Sequence, residues 1–255
     1  MGYVFDFNDA LAYDSWLDSK KNKYYLDFAF KLMLDLLHPQ KNQRILDIGC
    51  GTGISLEPLL NKGINLTGID PSIYMLDLAE KKIGSKVSLH KCFAEALPFD
   101  DNEFESAFLF TSLEFVDRPA KAIEEACRVA KDTVVLCVLN RWAPLNIKRR
   151  LKSFFVPRIY THAHFFSILE LKQILFAILG DVPVKWRTTL QFPCFSGATF
   201  IEDMKIIQKS FLGTLIGIKI KPVPKFITKP MVLKIKKAKT YKPATGLATR
   251  QRQVL

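Results

Sequence analysis

Arg44-Ile45-Leu46-Asp47-Ile48-Gly49-Cys50-Gly51-Thr52-Gly53 decides the fold. Ile45, Leu46 and Ile48 lead into glycines at three alternate positions, and a short apolar run bounded by glycine reads as a buried strand. The residues that follow, Ile54 to Leu60, have helical spacing. Strand, glycine turn and helix together present bare backbone to a nucleotide. Glycine lacks a Cβ, so a ligand approaches closely and the turn can take positive φ. A helix N-terminus behind the turn adds free N–H groups. A turn with no ligand would not require three glycines, each of which costs chain entropy.

The spacing departs from the dinucleotide fingerprint G-x-G-x-x-G. The third glycine, Gly53, comes one residue early, and Ile54 stands where that fingerprint has glycine. Asp47 lies two residues before Gly49. Asp70, at the end of a second strand (Asn65 to Asp70), lies 21 residues beyond Gly49, where a carboxylate grips a ribose diol. Asp70-Pro71-Ser72 also opens a helix with an inner face of Leu76, Ala79 and Ile83, so plain N-capping is the other role open to Asp70.

The glycine stretch resembles the first motif of class I S-adenosylmethionine (AdoMet)-dependent methyltransferases. Ala94-Glu95-Ala96-Leu97-Pro98-Phe99 is similar to the subgroup that includes the quinone-biosynthesis C-methyltransferases, and Asn140-Arg141-Trp142 resembles one branch of it. The likeness covers about residues 40–140. It implies AdoMet as cofactor, with Gly49, Cys50, Gly51 and Gly53 passing under its methionine and ribose portion. Asp47 would order that loop or approach the methionine amino group, and Asp70-Pro71 would lie beside it. The backbone around Ala94 and Glu95 would meet the adenine edge, and Thr111 would line the pocket. Where the family commonly has an Asp for the adenine amino group, this chain has Phe93, which stacks near the purine or turns into the core.

Further strands are expected at 86–92, 104–110 and 133–139, alternating with helices at 119–130 and 168–179. That alternation implies a doubly wound α/β fold with a mostly parallel sheet. The resemblance makes it a Rossmann-like sheet of seven strands with the last antiparallel. Val182 to Phe192 reads as the sixth strand, 200–220 as a helical insertion, and Met231 to Ile235 as the returning last strand. The expected organisation is a methyltransferase domain over 1–239, with an N-terminal arm or lid (1–23), a cap insertion (193–221) and a loose basic tail (240–255).

The 255 residues carry a net charge of +12. Residues 1–140 hold 15 basic against 21 acidic side chains, net −6, whereas 141–255 hold 22 against 4, net +18. Such asymmetry suits an anionic partner as well as solvated surface. The segment 211–239 interleaves apolar residues with lysines, among them Lys219, Lys221, Lys225, Lys229 and Lys234, which suits an anionic membrane surface. RNA is the second choice. Scattered cysteines, none in a C-x-x-C pair, argue for a reduced thiol protein without structural zinc. No apolar run reaches a membrane span and the N-terminus lacks a signal-peptide pattern, so a cytoplasmic location, peripheral to the membrane at most, is expected.

Methyl transfer from a sulfonium needs alignment and exclusion of water more than acid–base machinery. His162 and His164 are the candidates for a base or an acceptor-orienting group, with helix-entry polar residues as the alternative. Tyr13, Trp16 and Trp142 are candidates to close over the sulfonium. The acceptor is not readable: a small-molecule or lipid-like one leads, RNA follows, and a non-catalytic AdoMet-binding scaffold is the rival from another class.

Overall fold

The computed structural model describes residues 2–153, 161–189 and 207–222. All belong to the first of two compact units, Met1–Pro224 and Lys225–Leu255. Two helices, α1 (Phe7–Asp18) and α2 (Lys20–Leu37), precede the first strand. Asp6 starts α1 through a capping box, its side chain accepting from Asp9 N while the Asp9 carboxylate accepts from Asp6 N. The alternation then runs β1 (Arg44–Ile48), β2 (Asn65–Asp70), α3 (Ile73–Ile83), β3 (Val87–Lys91), β4 (Phe104–Phe110), α4 (Pro119–Val129), β5 (Ala130–Leu139), α5 (Pro144–Ser153), α6 (Ile168–Leu179) and β6 (Val184–Thr189). Two more strands, β7 (Ile207–Gln208) and β8 (Leu215–Ile220), end the described chain.

These form one eight-stranded sheet in the order β3-β2-β1-β4-β5-β8-β6-β7. Strands β1 to β5 pair in parallel, and β8 enters antiparallel between β5 and β6. The Rossmann-like expectation holds, with the two-residue β7 as an eighth strand at the edge. Both faces are covered. Val134, Leu136 and Val138 of β5 pack toward α4 and α6, while Val135 and Cys137 pack toward α2. That apolar run of alternating facings is the signature of a strand buried on both sides.

Two expectations are corrected. Residues 207–208 and 215–220 are strands joined by a turn, not helical insertion. Ile216, Ile218 and Ile220 point to one face of β8 and Leu215 to the other, and β-branched side chains at period two fit a pleated surface. The returning antiparallel strand is therefore Leu215–Ile220. Met231 to Ile235, residues 193–206 of the cap and the 240–255 tail lie outside the described residues. The glycine turn also does not lead into an α-helix. Gly53, Leu56 and Leu59 donate to Cys50, Gly53 and Leu56 respectively, a chain of three-residue turns ending in a 3₁₀ turn at Glu57–Leu59. Pro58 has no N–H and Asn61 turns at φ +60, so fewer than two helical turns fit.

Candidate active site

At the C-terminal edge of the parallel strands, the glycine loop, Asp70, Phe93–Glu95 and Thr111 line one cleft. The glycines do two different jobs. A Cβ on Gly49 would strike Ser112 Cβ at 2.4 Å, and one on Gly53 would meet Ile83 Cδ1 at 2.9 Å, so these two let the chain pack. Gly51, at φ +53, has no atom within 4 Å of where its Cβ would stand, so its bare face opens onto the cleft. The N–H groups of Gly49 and Cys50 both donate to Ile69 O at 2.8 Å. The loop therefore offers the ligand room rather than a ring of donors.

Asp70 supplies the acceptor. Its Oδ2 accepts from Gly51 N and its Oδ1 from Ser72 N, each at 2.9 Å. Ser72, not Asp70, caps α3 by accepting from Met75 N. Burial pushes the Asp70 carboxyl up to about 6, against the pull of those two backbone bonds. Asp47 lies beneath the loop, outside the cleft. Fully buried, it accepts from the Ser55 hydroxyl on Oδ2, while Oδ1 has no partner among the described residues, and desolvation pushes its carboxyl up to about 8. It orders the loop, one of the two roles expected of it. Cys50, Pro71, Ala94 and Glu95 line the cleft as expected, whereas Gly53 does not. Phe93 is exposed and lines the cleft rather than the core.

A second cavity, of about 470 Å³, adjoins the first and shares Tyr3, Tyr13, Phe110, Thr111 and Phe115 with it. Its other walls come from α1 and α2 (Trp16, Tyr25, Leu26, Ala29), the end of β5 (Leu139) and the start of β8 (Thr214, Leu215). Tyr13 and Trp16 stack with centroids 5.9 Å apart. The charged side chains in the wall are Asp9 and Arg149. Asp9 accepts the Tyr3 hydroxyl at 2.6 Å, which pushes the Tyr3 phenol up to about 12 and keeps it a donor. Arg149 donates to Asn146 Oδ1 at 3.1 Å, with its guanidinium carbon 5.6 Å from the Tyr25 ring centre.

The two candidate histidines part company. His162 lines the aromatic cavity, its ring stacked on Tyr3 at 4.0 Å. His164 is tied instead to the Arg141–Glu170 ion pair, its Nε2 2.7 Å from Glu170 Oε1; it is absent from the aromatic cavity and lines a third one, which His162 and Tyr3 also border. Trp142, expected as a lid over the sulfonium, is 59% exposed and lines none of the described cavities. The strap Gly2–Phe5, the start of the arm or lid expected over 1–23, forms one wall of the cleft. Tyr3 N donates to Phe115 O at 2.9 Å and Ser72 Oγ donates to Phe5 O at 2.6 Å, fixing the strap on both sides. Glu114 was missed. It is buried next to Phe115, accepting from Leu139 N at 2.6 Å on one oxygen with the other unpartnered among the described residues, and burial pushes it up to about 7. Only the density of aromatics in residues 3–7 hinted at the strap.

A methyltransferase-domain family profile matches residues 46–138. An uncharacterized protein of Methanocaldococcus jannaschii is 35% identical over 179 residues, 68% of this chain and 78% of that one. A solved SAM-dependent methyltransferase of Thermotoga maritima superposes with a TM-score of 0.65 at 25% identity, over 85% of this chain and 97% of that one. The chain belongs to the class I AdoMet-dependent methyltransferases. A demethylmenaquinone methyltransferase of Renibacterium salmoninarum is 34% identical over 101 residues, 40% of this chain, which spans only 42% of that relative's length. The methyl donor of this methyltransferase is AdoMet, and its cleft fits that molecule: an open glycine face, a buried carboxylate acceptor beside it, and an apolar Phe93–Ala94 edge. Among the described residues, no group of three His, Cys, Asp or Glu side chains is placed to hold a metal ion.

Proposed function

We propose that this enzyme methylates a small, planar, largely apolar molecule held in the aromatic cavity. The observation that carries the reading is the wall common to the two spaces, Tyr3, Tyr13, Phe110, Thr111 and Phe115. AdoMet supplies an electrophilic methyl group on a sulfonium. Gly51 would give the donor room and Asp70 would accept from its ribose hydroxyls. Ala94 and Glu95 would border the adenine. Tyr13, Phe110 and Phe115 present ring faces and edges at the junction, where aromatic carbon excludes water and favours a sulfonium by cation–π attraction. Stacking against Tyr13, Trp16 and Tyr25 would orient a planar acceptor, and orientation is the main source of rate in such a displacement.

Arg149 at the cavity wall would receive a carboxylate or phenolate oxygen of the acceptor. His162, which lines the same cavity, would take the proton of an acceptor hydroxyl. Asp9 already accepts two hydrogen bonds, from Tyr3 Oη and Asp6 N. The demethylmenaquinone methyltransferase relative, named for a quinone, supports an aromatic acceptor. The test is methyl transfer from labelled AdoMet to cell extract, partitioned into solvent-extractable small molecules, lipid and RNA. Label in extractable aromatic small molecules is expected. Label confined to RNA, or none in any fraction, would overturn the reading.

A further inference from the structure

Asn140 and Asn146 are fully buried polar side chains outside both cavities, and each bridges segments distant in sequence. Asn140 Nδ2 donates to Phe211 O and to Gly213 O, both at 2.7 Å, and its Oδ1 accepts from Trp142 N at 3.1 Å. Asn146 Nδ2 donates to Asn140 O and Thr214 O, both at 2.9 Å. The two amides thus fasten the Trp142 turn, helix α5 and the loop before β8 into one block beside Thr214 and Leu215, which wall the aromatic cavity.

Every element of that block shows apolar side chains to solvent. Trp142 is 59% exposed, Phe211 70% and Leu212 57%. On α5, Asn146 and Arg149 face inward, which leaves Ile147 (41%) and Leu151 (58%) on the outer side. Lys148 and Lys209 are exposed within the same segments. Neither 141–153 nor 207–222 contains a single Asp or Glu.

We propose that this block is a membrane-docking surface that seats the enzyme on an anionic lipid bilayer with the acceptor cavity beside it. Three chemistries coincide here as the headgroup layer demands. Tryptophan and phenylalanine suit the interface, aliphatic side chains enter the acyl boundary, and lysines on segments free of acids meet lipid phosphate, with Asp35 of α2 the acid that shares a cavity with Lys209. RNA fits less well. It would use the lysines and the two rings, but Ile147, Leu151 and Leu212 gain nothing from phosphates or stacked bases. The surface differs from the lysine series expected from the sequence. Lys219 lies in the sheet opposite Lys185 on β6, Lys221 is exposed just beyond β8, and Lys225, Lys229 and Lys234 fall outside the described residues.

The test is co-sedimentation of the full chain with vesicles of phosphatidylglycerol and phosphatidylcholine, with vesicles of phosphatidylcholine alone, and with a structured RNA as competitor. Binding to the anionic vesicles is expected, weakened at least tenfold in Trp142→Ser/Phe211→Ser and in Lys148→Glu/Lys209→Glu, and reduced by salt. Tryptophan emission should shift to the blue on anionic vesicles, and Trp142→Phe should remove most of that shift. Equal vesicle binding by wild type and both double variants, no binding at all, or displacement from vesicles by RNA at equimolar phosphate would each overturn the proposal. The surface touches neither cleft, so both variants should keep wild-type AdoMet affinity by calorimetry. That measurement separates a failure here from a failure of the proposed chemistry.

Discussion

The cleft and the aromatic cavity share a wall, yet they are built in opposite ways. Apart from Tyr13 of α1, the cleft comes from one stretch of parallel αβ chain plus the strap: Gly49–Gly51, Asp70, Phe93–Glu95, Thr111, Ser112, Phe115 and Val116 all sit at or just beyond strand ends. The cavity gathers Trp16, Tyr25, Leu139, Arg149 and Leu215 from two N-terminal helices, the end of β5, α5 and an antiparallel strand. A site at strand termini is dictated locally, since a glycine turn can only lie where its strand ends. A cavity closed by helix faces depends on packing between segments up to 200 residues apart. One consequence is that substitutions can divide donor binding from acceptor binding.

The largest effect should come from Gly51→Val. Its side chain would stand in the open cleft, so AdoMet affinity should fall at least ~100-fold by calorimetry. A valine at φ +53 costs about 1–2 kcal/mol, so melting should shift by a few degrees while the fold persists. Unchanged AdoMet affinity would break the assignment of the cleft.

Asp70→Ala comes next. Loss of bonds to a buried carboxylate is worth about 1.5–3 kcal/mol, or roughly 10–150-fold in AdoMet affinity. The pH dependence has a definite sign. Ribose hydroxyls donate to the ionised carboxylate, and Asp70 is pushed up to about 6, so affinity should weaken as pH falls through 6, by up to about tenfold per unit. In Asp70→Asn that slope should vanish. A variant that melts early yet binds AdoMet normally would make Asp70 purely structural.

Trp16→Ala sharpens the comparison from the other side. Trp16 lines the aromatic cavity and not the cleft. Acceptor KM should rise roughly 5–30-fold, the effect of about 1–2 kcal/mol of lost aromatic contact, with AdoMet affinity within about twofold. Equal losses for both ligands would show that the two spaces act as one.

The smallest effect belongs to Glu114, next to Phe115 of the common wall. Its folded pKa is raised to about 7, above the ordinary glutamate value. A raised carboxyl contributes stability that is fully present below the unfolded pKa and is lost as pH rises through 7. Melting temperature should therefore fall between pH 5 and 8, and Glu114→Gln should flatten that fall by a few degrees.

These differences follow what was legible in the sequence. The strand ends, the glycine turn, the Ser72-to-Ile83 helix and the Ser167 start of α6 follow from local chemistry: apolar period, caps and turn residues. The misreadings are non-local. Leu215–Ile220 looked like part of a helical insertion because strand and helix compete over a short apolar run, and only its place between β5 and β6 decides. Trp142 looked like a lid because an aromatic residue beside a motif says nothing of which way it faces. The Gly2–Phe5 strap is held by backbone groups of Phe115 and a hydroxyl of Ser72, and those partners leave no mark on residues 2–5.

The position of β8 has a bearing on biogenesis. It is the last described strand in the sequence yet sits inside the sheet, and it joins β6 to β5. Until Leu215–Ile220 leaves the ribosome, β5 has an open edge and β6 has no route into the sheet, an arrangement prone to mispairing. The walls of the donor cleft are complete by Val116, whereas the acceptor cavity waits for Leu215. At about 5–20 residues per second, that gap of about 100 residues lasts roughly 5–20 s. A nascent chain therefore has the means to hold donor before it has anywhere to put an acceptor, and AdoMet present during synthesis should act as a folding ligand for the first half of the sheet.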